Sequence, residues 1–288
     1  VTSLSKGAFD PIARLSLNDP VFLVSGASSG LGQALVNRLV SLGRRVVAAD
    51  LDHHRLEEAA RLAAWPTTRV RLVALDVREP SQWSAAFSAG ARAFGGIDVL
   101  LHAAEYLRPC EACDARAEDV HRHLDVTAKG TAFALQAAAA HMVPRGQGHV
   151  VVFSSLDAFA PRPGLGLHGA AAAAARSVAL AADLELRPRG VPVTVVCTAT
   201  VEAPDDVLGL GAQACAAAGG AELPAEAVVD VVLSRALTGK PRELVLPSSS
   251  GLLARLAGLS TALATFLWNR RERRSDVARV ARVRAHQT

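Results

Sequence analysis

The chain has 288 residues, half of them hydrophobic, and a formal net charge of +4, enough for one large domain with a full core and no need of a second. Eight arginines against two acids fall after Ser250, so the basic character belongs to the tail and argues against a nucleic-acid-binding face on the domain. Four cysteines in a chain this long do not form a disulfide framework, and the first residues lack the layout of a signal peptide, so a reducing, cytoplasmic setting is expected.

Residues 1–17 read as an unstructured or loosely docked leader, 18–248 as one domain, and 249–288 as a basic amphipathic C-terminal extension. Within the domain, short apolar runs alternate with helix-like segments. Val21–Ser25 reads as a buried strand, 31–42 as a helix, Arg45–Asp50 as a second strand and 54–64 as a helix. A third strand at 69–75, a helix at 82–93 and a fourth strand at 97–102 follow. One long helix is expected over 117–142, then a strand at 149–154, a second long helix at 168–186 and a strand at 191–198. A helix at 225–238 and a strand at Glu243–Leu246 complete the body. Unbroken alternation with wholly apolar strands predicts α/β architecture, a doubly wound parallel sheet of the Rossmann type.

Between the first strand and first helix the sequence is Ser25-Gly26-Ala27-Ser28-Ser29-Gly30-Leu31-Gly32. A tight turn needs φ freedom, a pyrophosphate needs close backbone approach, and a helix N-terminus offers unpaired N–H groups to anionic oxygens. Glycines in a strand–turn–helix context supply all three. Asp50 closes the second strand, 18 residues after Gly32. A carboxylate there accepts from adenosine ribose hydroxyls and repels a 2′-phosphate, which favours NAD(H) over NADP(H). The competing reading is a cap on the helix that follows.

With Asp76-Val77 after the third strand and Ser154-Ser155 closing the fifth, the chain resembles the short-chain dehydrogenase/reductase family from about 20 to 247. The resemblance implies cofactor contacts from Gly26, Ser28, Ser29, Gly30, Leu31, Gly32, Asp50, Leu51, Ala103 and Ala104, with Asp76 and Val77 at the adenine. It implies a substrate-binding serine at Ser155. The family's general acid is a tyrosine 13 residues after that serine, with a lysine four residues further on the same helix face; here those positions are His168 and Ala172. The only tyrosine is Tyr106, and no lysine lies between Lys129 and Lys240. The relay asparagine is Thr127, Asn-Asn-Ala-Gly reads His102-Ala103-Ala104-Glu105, and a Pro-Gly after the sixth strand reads Thr198-Ala199. Glu105 would crowd or repel a pyrophosphate-bearing ligand.

The adenine half of a cofactor site is thus kept, and the catalytic half is rewritten. The leading expectation is a family member that binds NAD(H) weakly or not at all, with impaired or lost dehydrogenase chemistry, as a non-catalytic or regulatory subunit. The alternative is an active NAD(P)-dependent oxidoreductase, or a non-redox lyase or isomerase, with Ser155 and His168 as catalytic residues, since an imidazole titrates near neutrality without a lysine to tune it.

Smaller signals complete the reading. Cys110 and Cys113 have a zinc-like spacing, but His121 and His123 point apart on a helix, so no metal site is expected. The alanine-rich second long helix allows close backbone approach, and the resemblance implies homo-oligomers, or pairing with a related active subunit, through the two long helices. Leu252, Leu253, Leu256, Leu259, Leu263, Phe266 and Leu267 form a helical stripe before Trp268 and an arginine cluster. Residues 252–274 therefore either lie on an anionic membrane or pack on the domain.

Overall fold

The computed structural model describes residues 19–160, 162–201, 223–248, 255–256 and 258–260. The expected leader, the segment 202–222 and most of the C-terminal extension lie outside the described residues.

Seven strands form one parallel sheet: β1 Val21–Ser25, β2 Arg45–Asp50, β3 Val70–Ala74, β4 Val99–His102, β5 His149–Ser155, β6 Val193–Thr198 and β7 Glu243–Leu246, in the order β3-β2-β1-β4-β5-β6-β7. The connecting helices are α1 Gly30–Ser41, α2 His53–Leu62, α3 Pro80–Phe94, α4 Ala117–Arg122, α5 Gly130–Met142, α6 Gly166–Leu186 and α7 Ala225–Val231. Strands β1 and β6 are buried along their whole length because helices cover both faces, which is why they read as continuous apolar runs rather than alternating ones. On one face Leu35, Val36 and Leu39 of α1, Leu56 of α2 and Val228 and Val229 of α7 meet the sheet. On the other, Trp83 and Phe87 of α3, Leu135 and Ala138 of α5, and Ala179 and Leu186 of α6 do so. The doubly wound sheet expected from the sequence is therefore present.

Two helices differ from expectation. The long helix over 117–142 is interrupted at His123–Lys129 by wide turns, and 225–238 is interrupted likewise at Val232–Ala236. Such turns insert an extra residue into a helix without breaking its course. Just after the first of them, at the start of α5, Thr131 Oγ1 donates back to the Thr127 carbonyl at 2.7 Å, and Gly130 fits so closely against Val77 that a Cβ there would come within 2.9 Å of Cγ2.

The end of α6 is tied to the sheet by Asp183, fully buried, which accepts from Val193 N at 2.9 Å and from Arg187 and Arg242. Hydrogen bonding to these partners holds its carboxyl below the ordinary range despite burial.

Strand order reverses between β1 and β4, so the connections after these two strands leave to opposite faces. That opens a crevice at the carboxyl edge of the sheet.

Candidate functional site

The crevice holds a cavity of about 380 Å³. It runs from Asp50, Arg55 and Asp76 at one end, past the glycine turn and Ala103–Tyr106, to Ser155, His168 and Thr198–Val201 at the other.

The glycine turn shows why glycine is needed. Gly26 has φ +74°, and a Cβ on it would lie 2.9 Å from the backbone of Ala104. A Cβ on Gly32 would lie 2.0 Å from the Gly26 carbonyl oxygen, so α1 can approach the turn only without one. Ser29 stands at the N-cap of α1 but does not cap it: its hydroxyl donates to the Gly26 carbonyl at 2.5 Å. The first i→i−4 bond of the helix is Gln33 N to Ser29 O at 2.7 Å, so the N–H groups of Gly30 and Leu31 precede it. Asp50 anchors the loop, accepting from Ser28 N at 2.9 Å through Oδ2 and from Asp52 N at 3.1 Å through Oδ1. The cap of α2 is Asp52, which accepts from Arg55 N at 3.0 Å, so the capping reading of Asp50 is corrected. Each Asp50 oxygen keeps lone-pair capacity for a further donor.

Leu51, 63% exposed, and Asp76 and Val77 flank this end. Arg78 binds the Asp76 carboxylate through Nε and Nη2, and that bond holds the carboxyl below its usual range. Trp83 Nε1 donates to the Val77 carbonyl at 3.0 Å. These donors and glycines fit the adenosine and phosphates of a dinucleotide.

The other end is built differently. Ala172, where the resemblance looks for lysine, is fully buried, and its carbonyl accepts from Ser154 Oγ at 3.2 Å. His168 is buried at the cavity wall, with Nε2 3.9 Å from Asp157 Oδ2 and Nδ1 without a hydrogen-bond partner. Asp157 is the hub. Ser155 Oγ donates to its Oδ2 at 3.2 Å and accepts from its N–H at 3.1 Å. Arg162 Nη2 donates to Oδ2 at 2.6 Å, and its Nε binds Oδ1.

Sequence reading missed Asp157 and Arg162, which belong to no motif and meet only through the fold. It also gave Tyr106 no place in the site, although Tyr106 lines the cavity. Tyr106 N donates to Thr127 Oγ1 at 3.2 Å, and its ring lies 4.8 Å from that of His123. His123 is itself engaged, with Nδ1 2.7 Å from Asp119 O and Nε2 accepting from Arg108 N at 3.3 Å, and burial lowers its pKa. It therefore does not converge with Cys110 and Cys113. Exposed Glu105 follows Ala104 on the cavity wall.

A doubly wound sheet with a glycine turn at its switch point and an acid closing the second strand defines a Rossmann-type fold. Residues 20–206 match the model of the family described as short chain dehydrogenase, and the chain belongs to that family. An uncharacterized oxidoreductase of Staphylococcus epidermidis is 29% identical over 188 residues, 65% of this chain and 80% of the relative. An uncharacterized oxidoreductase of Staphylococcus aureus is 27% identical over 186 residues, covering 65% and 80%. Among solved structures, a short chain dehydrogenase/reductase from Burkholderia phymatum in complex with NAD superposes with a TM-score of 0.75 at 22% identity, covering 85% of this chain and 95% of that one. A 3-ketoacyl-(acyl-carrier-protein) reductase from Brucella melitensis complexed with NADH gives 0.70 at 24%, covering 80% and 98%. These two likenesses concern the fold.

Proposed function

We propose that this chain is a dinucleotide-binding member of the family that takes NAD(H) in preference to NADP(H), has impaired or lost dehydrogenase chemistry, and serves as a non-catalytic or regulatory subunit. One observation carries the reading: the two α6 positions expected to hold a proton donor and its cationic partner are a buried histidine and a fully buried alanine. When bound, a nicotinamide cofactor would supply the hydride acceptor or donor. The chain's own contribution at that end is small: Ala172 offers no side chain to a ribose, and Ser155 is engaged by Asp157. At the adenosine end Asp50 would accept from ribose hydroxyls, and the first turn of α1 would face the phosphates.

Titration with NAD, NADH, NADP and NADPH, followed by tryptophan fluorescence or melting temperature, tests the binding half. NAD(H) should bind and NADP(H) more weakly. Turnover of alcohols or ketones at ordinary rates, abolished by Ser155→Ala, would overturn the catalytic half.

A second reading is favoured by the 3.9 Å approach of Asp157 to His168 Nε2. In it His168 moves a proton to or from a substrate, with redox or lyase and isomerase outcomes both open to it. It requires a turnover of substrate that disappears in His168→Ala.

The outer face of α6 exposes Ala170, Ser177, Val178, Ala181 and Leu184, which supports pairing with a second copy or a related subunit through that helix. Among the described residues no helix is long and apolar enough to cross a membrane. Arg255 of the extension contacts the domain: it pairs with Glu243 and lies 5.7 Å from the Phe159 ring centroid. The reading places the protein in the cytoplasm, with membrane contact through 252–274 tested by flotation of the full chain with anionic vesicles. Equal flotation after truncation at Ser250 would remove that contact.

A further inference from the structure

Glu105 lines the cavity, and among the described residues its carboxylate has neither a cation nor a hydrogen-bonding backbone group to hold it. Asp76 is paired with Arg78 and Asp157 with Arg162, and Asp50 is held by backbone N–H groups. Arg55 stands at the adenosine end. Among the described residues no cation pairs with Glu105, which is exposed on the cavity wall.

Its place along the cavity follows from the topology. The Ala104 backbone abuts the Gly26 turn, and Glu105 is the next residue out from β4. A dinucleotide laid across a switch point puts its adenosine over β2 and β3, where Asp50 and Asp76 stand, and its other half over β4 to β6. Glu105 therefore borders the nicotinamide half. The pyrophosphate charge is the same in both redox forms of the cofactor, so its repulsion from Glu105 cancels between them. The ring charge differs, because the oxidised pyridinium is a cation and the reduced ring is neutral.

We infer that Glu105 makes this chain discriminate between redox forms, holding oxidised NAD in preference to NADH. The inference rests on the dinucleotide-binding reading above. Were the pyridinium about 6–8 Å from the carboxylate, in a cleft of effective dielectric between ~20 and ~80, the affinity ratio would shift roughly two- to hundred-fold. The same carboxylate weakens binding of both forms, in keeping with a low overall affinity.

The test measures dissociation constants of the full chain for oxidised NAD, NADH and ADP-ribose, in wild type and Glu105→Gln. The expected result is a NADH-to-NAD ratio of dissociation constants that falls at least roughly twofold in the variant, with tighter ADP-ribose binding as repulsion is relieved. In wild type the preference should also shrink as salt rises from 50 to 500 mM, which reads the charge effect without any substitution. A ratio unchanged by both Glu105→Gln and salt, with ADP-ribose still bound, overturns this inference and leaves the binding reading standing. Failure of all three ligands to bind wild type overturns both.

Discussion

Replacing Gly32 by alanine separates a residue needed for the nucleotide turn from one needed only for chain geometry. The new Cβ would lie 2.0 Å from the Gly26 oxygen, 2.7 Å from the Gly26 carbon and 3.1 Å from Ala27 Cα, all backbone atoms with no rotamer to give way. Since non-bonded atoms settle near ~3.5 Å, α1 must retreat by roughly 1 Å or more from the turn. Overpacking of this kind costs about 1–3 kcal/mol, offset by about 0.5–1 kcal/mol from alanine's better helix propensity. The net loss lowers the melting temperature by a few degrees, at about 2–4 °C per kcal/mol for a domain of this size. The control is Gly95→Ala, where φ is +86° and a Cβ meets nothing within 4 Å. It loses about 1–2 kcal/mol to left-handed backbone strain alone. Thermal melts will therefore look alike, and a titration with NAD will not. Gly32→Ala should lose binding because the N–H groups of α1 move away from the turn, while Gly95→Ala keeps it. Wild-type NAD affinity in Gly32→Ala, or equal loss in both variants, would refute the reasoning.

Two further outcomes follow from buried polar groups. Burial lowers the pKa of His102 to about 4 and of His149 to about 3. Both stay neutral in the folded state while the unfolded chain takes up protons below about 6.5, so stability falls as pH drops through that value. Each histidine removes about 2 kcal/mol at pH 5, before Asp183, whose carboxyl is depressed, begins to lose its contribution below about 4. A urea midpoint that is flat from pH 7.5 to 5 would contradict this. Asp157→Asn breaks a buried pair with Arg162 and should destabilise by about 3–5 kcal/mol, against about 0–1 kcal/mol for Asp125→Asn in the exposed pair with Lys129. Chemical denaturation of the two variants side by side checks it, and equal midpoints would count against the hub role of Asp157.

The strands could be read from sequence to within a residue or two, because the covered inner strands leave apolar runs with no polar register to mistake. The glycine turn was equally legible, since its chemistry is local. What escaped were contacts that join distant residues. Asp157 and Arg162 form no periodic pattern, and Arg255 meets Glu243 across 12 residues and a change of element. The wide turns at His123–Lys129 and Val232–Ala236 also escaped, because one extra residue in a helix barely alters apolar spacing. The capping assignment at Asp50 was recoverable: Asp52 stands three residues before Arg55, the spacing an N-cap carboxylate needs.

The two ends of the cavity differ in how their polar groups are spent. At the adenosine end they are left open toward the cleft, with α1 uncapped by Ser29 and lone pairs on Asp50 unused. At the other end they satisfy one another: Ser155 both donates to and accepts from Asp157, and Arg162 locks the carboxylate in place. A substrate oxygen seeking Ser155 must first displace the hydrogen bond to Asp157, whereas a phosphate at α1 displaces only water. That difference supports the proposed reading, in which the site holds a nucleotide more than it turns over a substrate. His168 Nδ1 is the exception, a buried nitrogen without a partner in a group beside the cavity. An unmet polar atom of this kind costs about 1–3 kcal/mol. Proton exchange through His168 is the chemistry that the second reading assigns to this end of the cavity.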